Sequence, residues 1–294
     1  MTRYLITNPG LCNDLARLAP WLEQLRAAGI HFEGPYHLDQ CEWQAQLEPA
    51  DCLLALGGDG TVSAVARHCV SSGALLAILP AGTANDFARS LGIVAASAVA
   101  LLAEGEESRV DVGRLDGLLF LNVTHIGLGA EVSLYLTGQE KRRWGPWSYL
   151  RELLRRLVKR RGFKGKLRFD GSSLYGRWLE IAIANGPCFG GGHRIEQADL
   201  RNGKLTLVAL RERPLRQLAL AVFPARLGLS TSPKLLRVEQ VEQVEIKTQR
   251  RHLAVSADGE ALPHVPHLCY VEPGALRVLC PRSSATLTPR RGAP

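Results

Sequence analysis

Leu53-Leu54-Ala55-Leu56-Gly57-Gly58-Asp59-Gly60-Thr61 decides the fold: an apolar run stops abruptly in two glycines, a carboxylate, a third glycine and a hydroxyl. Apolar Val62, Val65 and Ala66 follow at helical spacing. The stretch therefore reads as a buried strand, a tight loop and the start of a helix. Gly57, Gly58 and Gly60 let the backbone come close to a ligand. The helix start aims unpaired N–H groups and a positive dipole end at that loop, which suits a phosphate. Asp59 is placed to hold a divalent cation beside it, and Thr61 to donate to an oxygen. The loop is neither a Walker A, since no Gly-Lys-Ser/Thr follows, nor a GxGxxG fingerprint.

A second passage repeats the pattern. In Ala77-Ile78-Leu79-Pro80-Ala81-Gly82-Thr83-Ala84-Asn85-Asp86-Phe87-Ala88-Arg89, Pro80 and Gly82 break a strand, and Thr83 or Asn85 can cap the next helix. The two loops end successive strands, where parallel α/β sheets place their ligands. GGDGT followed by PxGTxNDFAR resembles the catalytic domain shared by diacylglycerol kinases, sphingosine kinases and bacterial YegS-like lipid kinases.

The chain has 294 residues, enough for two domains with their own cores. No apolar run reaches the roughly 18 residues that span a bilayer, and Met1 to Ile6 reads as a first strand, not a signal peptide. Cysteines at 12, 41, 52, 69, 188, 269 and 280 form no CxxC pair; free thiols in a reducing cytosol are expected.

Residues 1–10 read as a strand ending at Asn8-Pro9-Gly10. Leu11, Leu15, Leu18, Leu22 and Leu25 have amphipathic helix spacing, and Ile30 to Phe32 reads as a strand. Residues 84–103 read as a helix and an alanine-rich second one. The alternation over 1–110 implies a three-layer α/β domain with a mostly parallel sheet. Short strand-like runs follow: Val110–Leu115, Leu118–Ile126, Lys166–Phe169, Arg177–Asn185, Lys204–Leu210, Val241–Lys247, Ala254–Ala257 and Leu276–Leu279. They imply a β-rich, antiparallel, sandwich-like second domain. The expected domains are 1–111 and 112–275, with strands near 276–282 returning to the first domain as the resemblance implies. Residues 283–294 read as a disordered polar tail.

The resemblance carries over onto further positions. It implies that Asn8 and Pro9 line the nucleotide site; the bare sequence reads equally as a strand-end turn. The family's nucleotide-contacting threonine has no counterpart in residues 33–50, which hold Tyr36 and His37. Asn122 to Val132 resembles the GxGAxV segment, where Gly127 and Gly129 permit close packing. Asn185 to Gly192 resembles the loop that shapes the lipid side of the cleft. Asn202-Gly203 stands where the family has Asp-Gly and where some bacterial members hold a structural Mg²⁺. Asp199, Asn202 and Lys204 are the corresponding ligands, or else form a plain turn. In Ser256-Ala257-Asp258-Gly259-Glu260, the resemblance implies that the DGE faces the GGDGT loop and supplies the general base, with Asp258 first and Glu260 the alternative or a metal-side partner.

Residues 141–168 hold twelve Lys or Arg against one acid, +11 against a total of +8, so the rest of the chain carries −3. Trp147 and leucines share one helical face; Arg151, Arg155, Arg156 and Lys159 lie on or beside the rest. A basic, Trp-flanked amphipathic helix suits an anionic membrane surface.

The resemblance therefore implies an ATP- and Mg²⁺-dependent lipid kinase of phospholipid metabolism, cytoplasmic and peripheral on the inner face of the membrane. It would phosphorylate a hydroxyl of a diacylglycerol, sphingoid base or related glycerolipid. Gly57, Gly58, Gly60, Thr61, Gly82 and Thr83 would cradle the phosphates, with Asn85 and Asp86 shaping the pocket. Asp59 would act through Mg²⁺ or a bound water, and Asp258 on the acceptor. The alternatives are a soluble-substrate kinase of the same superfamily, since NAD kinases share GGDGT, and a non-catalytic nucleotide- or membrane-binding protein.

Overall fold

The structure is a computed structural model that describes residues 1–40, 43–135, 162–191, 193–214, 236–250 and 252–282. The basic segment with Trp147, Arg151, Arg155, Arg156 and Lys159, and the tail from 283, lie outside the described residues.

The first half runs β1 (Arg3–Thr7), α1 (Pro9–Cys12), α2 (Leu15–Ala27), β2 (Glu33–His37), β3 (Cys52–Gly57), α3 (Asp59–Ser72), β4 (Leu75–Pro80), α4 (Asp86–Ser90) and α5 (Leu101–Glu104). Strands β2, β1, β3 and β4 pair in parallel in that order. Every residue of β3 and β4 is buried, which is why both read as continuous apolar runs rather than alternating ones. Asp14 caps α2, and its Oδ1 accepts from Arg17 N. Of the expected leucine ridge, Leu11, Leu18 and Leu25 are buried, whereas Leu15 is 73 % exposed. The strand expected over Ile30–Phe32 begins instead at Glu33. Gly29 is left-handed at φ +67°, and Ile30 N donates to Leu25 O, so these residues close α2 and are not free to start a strand. The two helices expected over 84–103 are the short α4 and α5, with a single 3₁₀ turn at Ala95–Ser97 between them.

The chain then turns antiparallel: β5 (Glu106–Leu115), β6 (Leu118–Phe120), β7 (Val123–Gly127), α6 (Leu128–Tyr135), β8 (Phe163–Phe169), β9 (Ser172–Ala184), β10 (Cys188–Phe189), β11 (His193–Arg194), β12 (Leu205–Arg211), β13 (Leu236–Val241), β14 (Gln243–Thr248), β15 (Val255–Ala257), β16 (Glu260–Ala261) and β17 (Leu268–Cys280). The order β16-β15-β7-β9-β8-β14-β17 leads directly into β4-β3-β1-β2. Strand β17 is the seam. Val278 pairs in parallel with Leu76 of β4, while Gln243–Glu245 of β14 pair antiparallel with its start. Its register against β5 slips between Glu272 and Leu276. Asp111 pins that slip, its Oδ1 accepting from Gly274 N and its Oδ2 from Gly203 N. The two largest buried clusters among the described residues lie one around β1, β3, β4 and α3, the other inside the antiparallel half around Phe163, Trp178, Ile181 and Val244.

Arg277 fastens the seam. Its Nη1 donates to Pro49 O at 2.6 Å and Gly73 O at 2.7 Å, and Nε and Nη2 grip Glu107 at 2.7 and 2.8 Å. That grip holds the Glu107 carboxyl below its ordinary range. Arg277→Met should lower unfolding free energy by about 2–3 kcal/mol, because charge-assisted hydrogen bonds and two carbonyl acceptors are lost together. Urea unfolding checks this: the midpoint should fall with an unchanged slope.

Candidate active site

The two glycine loops meet at their backbones. Gly57 pairs with Pro80 at the ends of β3 and β4, so the chains leave the sheet side by side. A Cβ on Gly82 would overlap Gly58 Cα, and one on Gly57 would overlap the Thr61 side chain. Gly58 is the N-cap of α3 and supplies no side-chain cap, so the first N–H groups of a 14-residue helix stay open to a ligand. Asn8 reaches in from α1: its Nδ2 donates to Thr61 Oγ1 at 3.1 Å while its Oδ1 accepts from Leu11 N. Asn8-Pro9 thus opens a helix beside the loop; Pro9 takes the first helical position, where no N–H is needed.

Asn85 fixes the second loop. It sits in the left-handed region at φ +51°, its Oδ1 accepting from Gly82 N and its Nδ2 donating to Gly82 O. Thr83 beside it is exposed. Asp59 Oδ1 accepts from Phe87 N at 3.2 Å, joining α3 to α4. Burial, with the Asp86 and Asp258 carboxylates nearby, pushes Asp59 up to about 6. Asp86 accepts from Gly191 N, and Ser90 Oγ accepts from Cys188 N. The glycine loop between β10 and β11 is therefore tied to α4.

Against the side of α3, Asp258 and Gly259 have φ +48° and +88° and join β15 to β16 as a two-residue Asp-Gly hairpin. The Asp258 carboxylate turns inward. Oδ1 accepts from Asn122 N at 2.8 Å and Val123 N at 3.2 Å; Oδ2 accepts from Leu121 N at 2.7 Å and Ser63 Oγ at 3.4 Å. Burial raises its pKa; the three backbone N–H groups and Ser63 oppose that. Glu260 faces the other way. Its side chain is 61 % exposed, with Arg67 Nη2 at 3.7 Å from Oε2. Its Oε1 lies 3.9 Å from where a Gly60 Cβ would stand. Sequence reading did not single out Ser63 and Arg67. Their signal was present: they follow Asp59 at four and eight residues, one face of α3.

Close packing accounts for the GxGAxV segment. A Cβ on Gly129 would lie 2.6 Å from Glu180 Oε1 and 2.7 Å from His125 Nδ1. Gly129 N donates to Glu180 Oε2, and His125 Nδ1 lies 2.8 Å from Glu180 Oε1. Asn185 Nδ2 donates to both Asp111 O and Leu121 O. In the turn before β12, Asp199 Oδ1 accepts from Arg201 N and Asn202 Oδ1 from Lys204 N. Their side chains serve the turn.

Among the described residues, no three His, Cys, Asp or Glu side chains are grouped to hold a metal by themselves. The donor set at the glycine loops fits Mg²⁺ in the manner usual for nucleotide sites, one or two carboxylates with phosphates completing the shell. Asp59, whose ionisation is opposed by burial and two neighbouring carboxylates, is the residue a cation would relieve. Among the described residues, no helix is long and apolar enough to cross a membrane.

Residues 10–115 match the diacylglycerol kinase catalytic domain, and residues 122–280 the YegS C-terminal NAD kinase beta sandwich-like domain. A protein of Pseudomonas fluorescens named "Probable lipid kinase YegS-like" is 32 % identical over 238 residues, covering 80 % of this chain and 79 % of its own. Its namesake in Pseudomonas aeruginosa is 35 % identical over 240 residues, covering 80 % and 78 %. A crystal structure of a diacylglycerol kinase from Bacillus anthracis strain Sterne superposes with a TM-score of 0.70 at 22 % identity, covering 96 % of this chain and 97 % of that one.

Two outcomes follow from the geometry. Gly82→Ala should push the loops apart and lower unfolding free energy by about 1–3 kcal/mol, the cost of overpacking against backbone; urea unfolding reads it. The raised Asp59 carboxyl also makes stability depend on pH. Its folded pKa of about 6 exceeds the ordinary 3.8, so its contribution is complete below about pH 4 and is lost as pH rises through about 6. Asp59→Asn should therefore raise thermal stability at pH 7 by about 1–3 kcal/mol. The two proteins' melts should converge at about pH 4, where both side chains are neutral.

Proposed function

The chain belongs to the YegS-like lipid kinase family and is a kinase with an alcohol group as acceptor; from that premise we propose that it transfers the γ-phosphoryl group of ATP to a hydroxyl of a membrane lipid of the diacylglycerol, sphingoid or related glycerolipid type. The observation that carries the reading is that one face of α3 looks in two directions. Its open N-terminus faces the phosphate loops, while Gly60, Ser63 and Arg67 face Glu260 and Asp258. Donor and acceptor sides thus meet along a single helix.

Residues of this chain divide the work. Gly57, Gly58, Gly60 and Gly82 let backbone reach the phosphates, Thr61 and Thr83 add hydroxyls, and Asn8 orients Thr61. Asn85 holds Gly82 in place; Asp86 ties the lipid-side loop to the nucleotide side. Asp59 is the residue that would hold Mg²⁺, which when bound with the nucleotide neutralises phosphate charge. A carboxylate accepts the proton of the lipid hydroxyl as that oxygen bonds to phosphorus and the bond to the ADP oxygen breaks.

The geometry favours Glu260 over Asp258 for that carboxylate, reversing the order read from sequence. Asp258 is half-buried and its carboxylate already accepts four hydrogen bonds. Glu260 is exposed and lies toward Gly60. The reading also takes the two buried clusters as two lobes, 1–111 with 276–282 and 112–275, with the cleft between them.

Transfer of ³²P from labelled ATP to extracted lipid vesicles tests this. Glu260→Gln should lose about 10²–10⁴-fold in kcat with an unchanged melting temperature. Asp258→Asn should lose stability by about 1–3 kcal/mol, since an amide NH₂ would be turned against backbone N–H groups. A wild-type protein that binds ATP but labels no lipid would sink the lipid-acceptor reading. Full activity in Glu260→Gln would sink the assignment of the base.

A further inference from the structure

The outer face of the β8–β9–β14 sheet carries charges that the cleft does not use. Along β8, Phe163, Gly165 and Leu167 are buried, while Lys164, Lys166 and Arg168 face outward. The register sets Lys164 opposite Arg177 and Lys166 opposite Tyr175 on β9. It sets Lys247 of β14 opposite the other side of Lys166. Two like-charged pairs, Lys164 with Arg177 and Lys166 with Lys247, are therefore directly opposed, an arrangement that destabilises an antiparallel sheet.

Glu245 stands 3.7 Å from Arg168, and Glu212 pairs with Arg177. Among the described residues, Lys164, Lys166 and Lys247 have no ion-pair partner. In their midst Tyr175 is 62 % exposed. Signs are mixed at Arg168–Glu245 and Arg177–Glu212, but the three lysines stay clustered without an acid beside an exposed aromatic ring.

Strand β9 also links this face to the lipid side of the site. Past the irregularity where Leu210 and Arg211 meet it, its outward residues become Ala182 and Ala184. These pack with Val123 and Ala198 against Phe189 and Ile195, in and beside the glycine loop that Asp86 holds.

We propose that this face docks on an anionic lipid bilayer, with Lys164, Lys166, Lys247 and Arg177 meeting head groups and the Tyr175 ring lying at head-group level. Charge complementarity carries the choice of partner. An anionic leaflet attracts clustered lysines, and tyrosine, with an apolar ring and polar tip, partitions to the interface. The choice of a bilayer over other polyanions rests on the lipid-kinase reading above.

Flotation with phosphatidylcholine vesicles, with and without about one-third phosphatidylglycerol, tests the face. Wild-type protein should float with the anionic vesicles only, and less as salt rises. The K164Q/K166Q/K247Q variant should partition about 100-fold more weakly, with a melting temperature no lower than wild type because repulsion has been removed. Lys247→Glu, which gives Lys166 a partner, should melt higher yet bind the vesicles less well. Equal partition of wild type and triple variant would overturn the proposal. So would absence of wild-type flotation, or binding to heparin or duplex DNA without binding to vesicles. Phosphoryl transfer to lipid in neutral detergent micelles separates this from the kinase reading. The triple variant should match wild type there. Wild-type protein that floats but transfers nothing would sink the kinase reading while leaving the surface in place.

Discussion

Everything at the cleft depends on Gly58 and Gly82 passing each other without side chains. The parallel pairing of β3 and β4 delivers both loops to the same sheet edge, and the absence of two Cβ atoms lets the backbones touch. That contact leaves the α3 N-terminus uncovered. Asn85 then stabilises the loop it belongs to by bonding both backbone groups of Gly82. A side chain of any size at Gly82 would have to separate strands whose every residue is buried, so the local constraint is enforced by the core itself.

From that contact α3 carries position information across the cleft. Its face toward the second half presents Gly60, Ser63 and Arg67 at successive turns, and these meet Glu260, Asp258 and Glu260 in turn. The other connection is β17, whose end pairs with β4 and whose beginning pairs with β14. Asp111 and Arg277 hold this strand at its register slip and near its end. One helix and one strand therefore set the distance between the two groups of carboxylates.

How legible this was in the sequence varied with how local the cause was. The buried β3 and β4, the glycine loops and the antiparallel second half were legible because apolar runs, glycine and turn residues act within a few positions. The first strand edge of β2 was missed because the ending of α2 claimed Gly29 and Ile30. Leu15 looked like part of a buried ridge, but its exposure depends on which side the sheet lies. Ser63, Arg67, Asp111 and the His125–Glu180 pair could be typed but not placed, since their partners stand 55 to 195 positions away or depend on register that only the assembled sheet supplies. The basic face on β8 illustrates the same limit. Its lysines were counted in sequence, but only cross-strand pairing shows that like charges oppose one another.

The Asp-Gly hairpin explains why two acids two residues apart take different parts. Positive φ at both Asp258 and Gly259 folds the chain back on itself within two residues, so Asp258 is directed inward while Glu260 begins the returning strand. Inward, Asp258 meets three consecutive N–H groups that β7 presents as it starts. Those donors would be unpaired and buried without it, a cost comparable to the burial of the carboxylate. Each offsets the other, and the hairpin is locked. On the proposed reading a base keeps a lone pair free for the acceptor, whereas the four bonds that Asp258 accepts suit it to anchoring. Outward, Glu260 has the loose Arg67 contact and solvent. The same hairpin that consumes one carboxylate as an anchor is what leaves the other exposed beside α3.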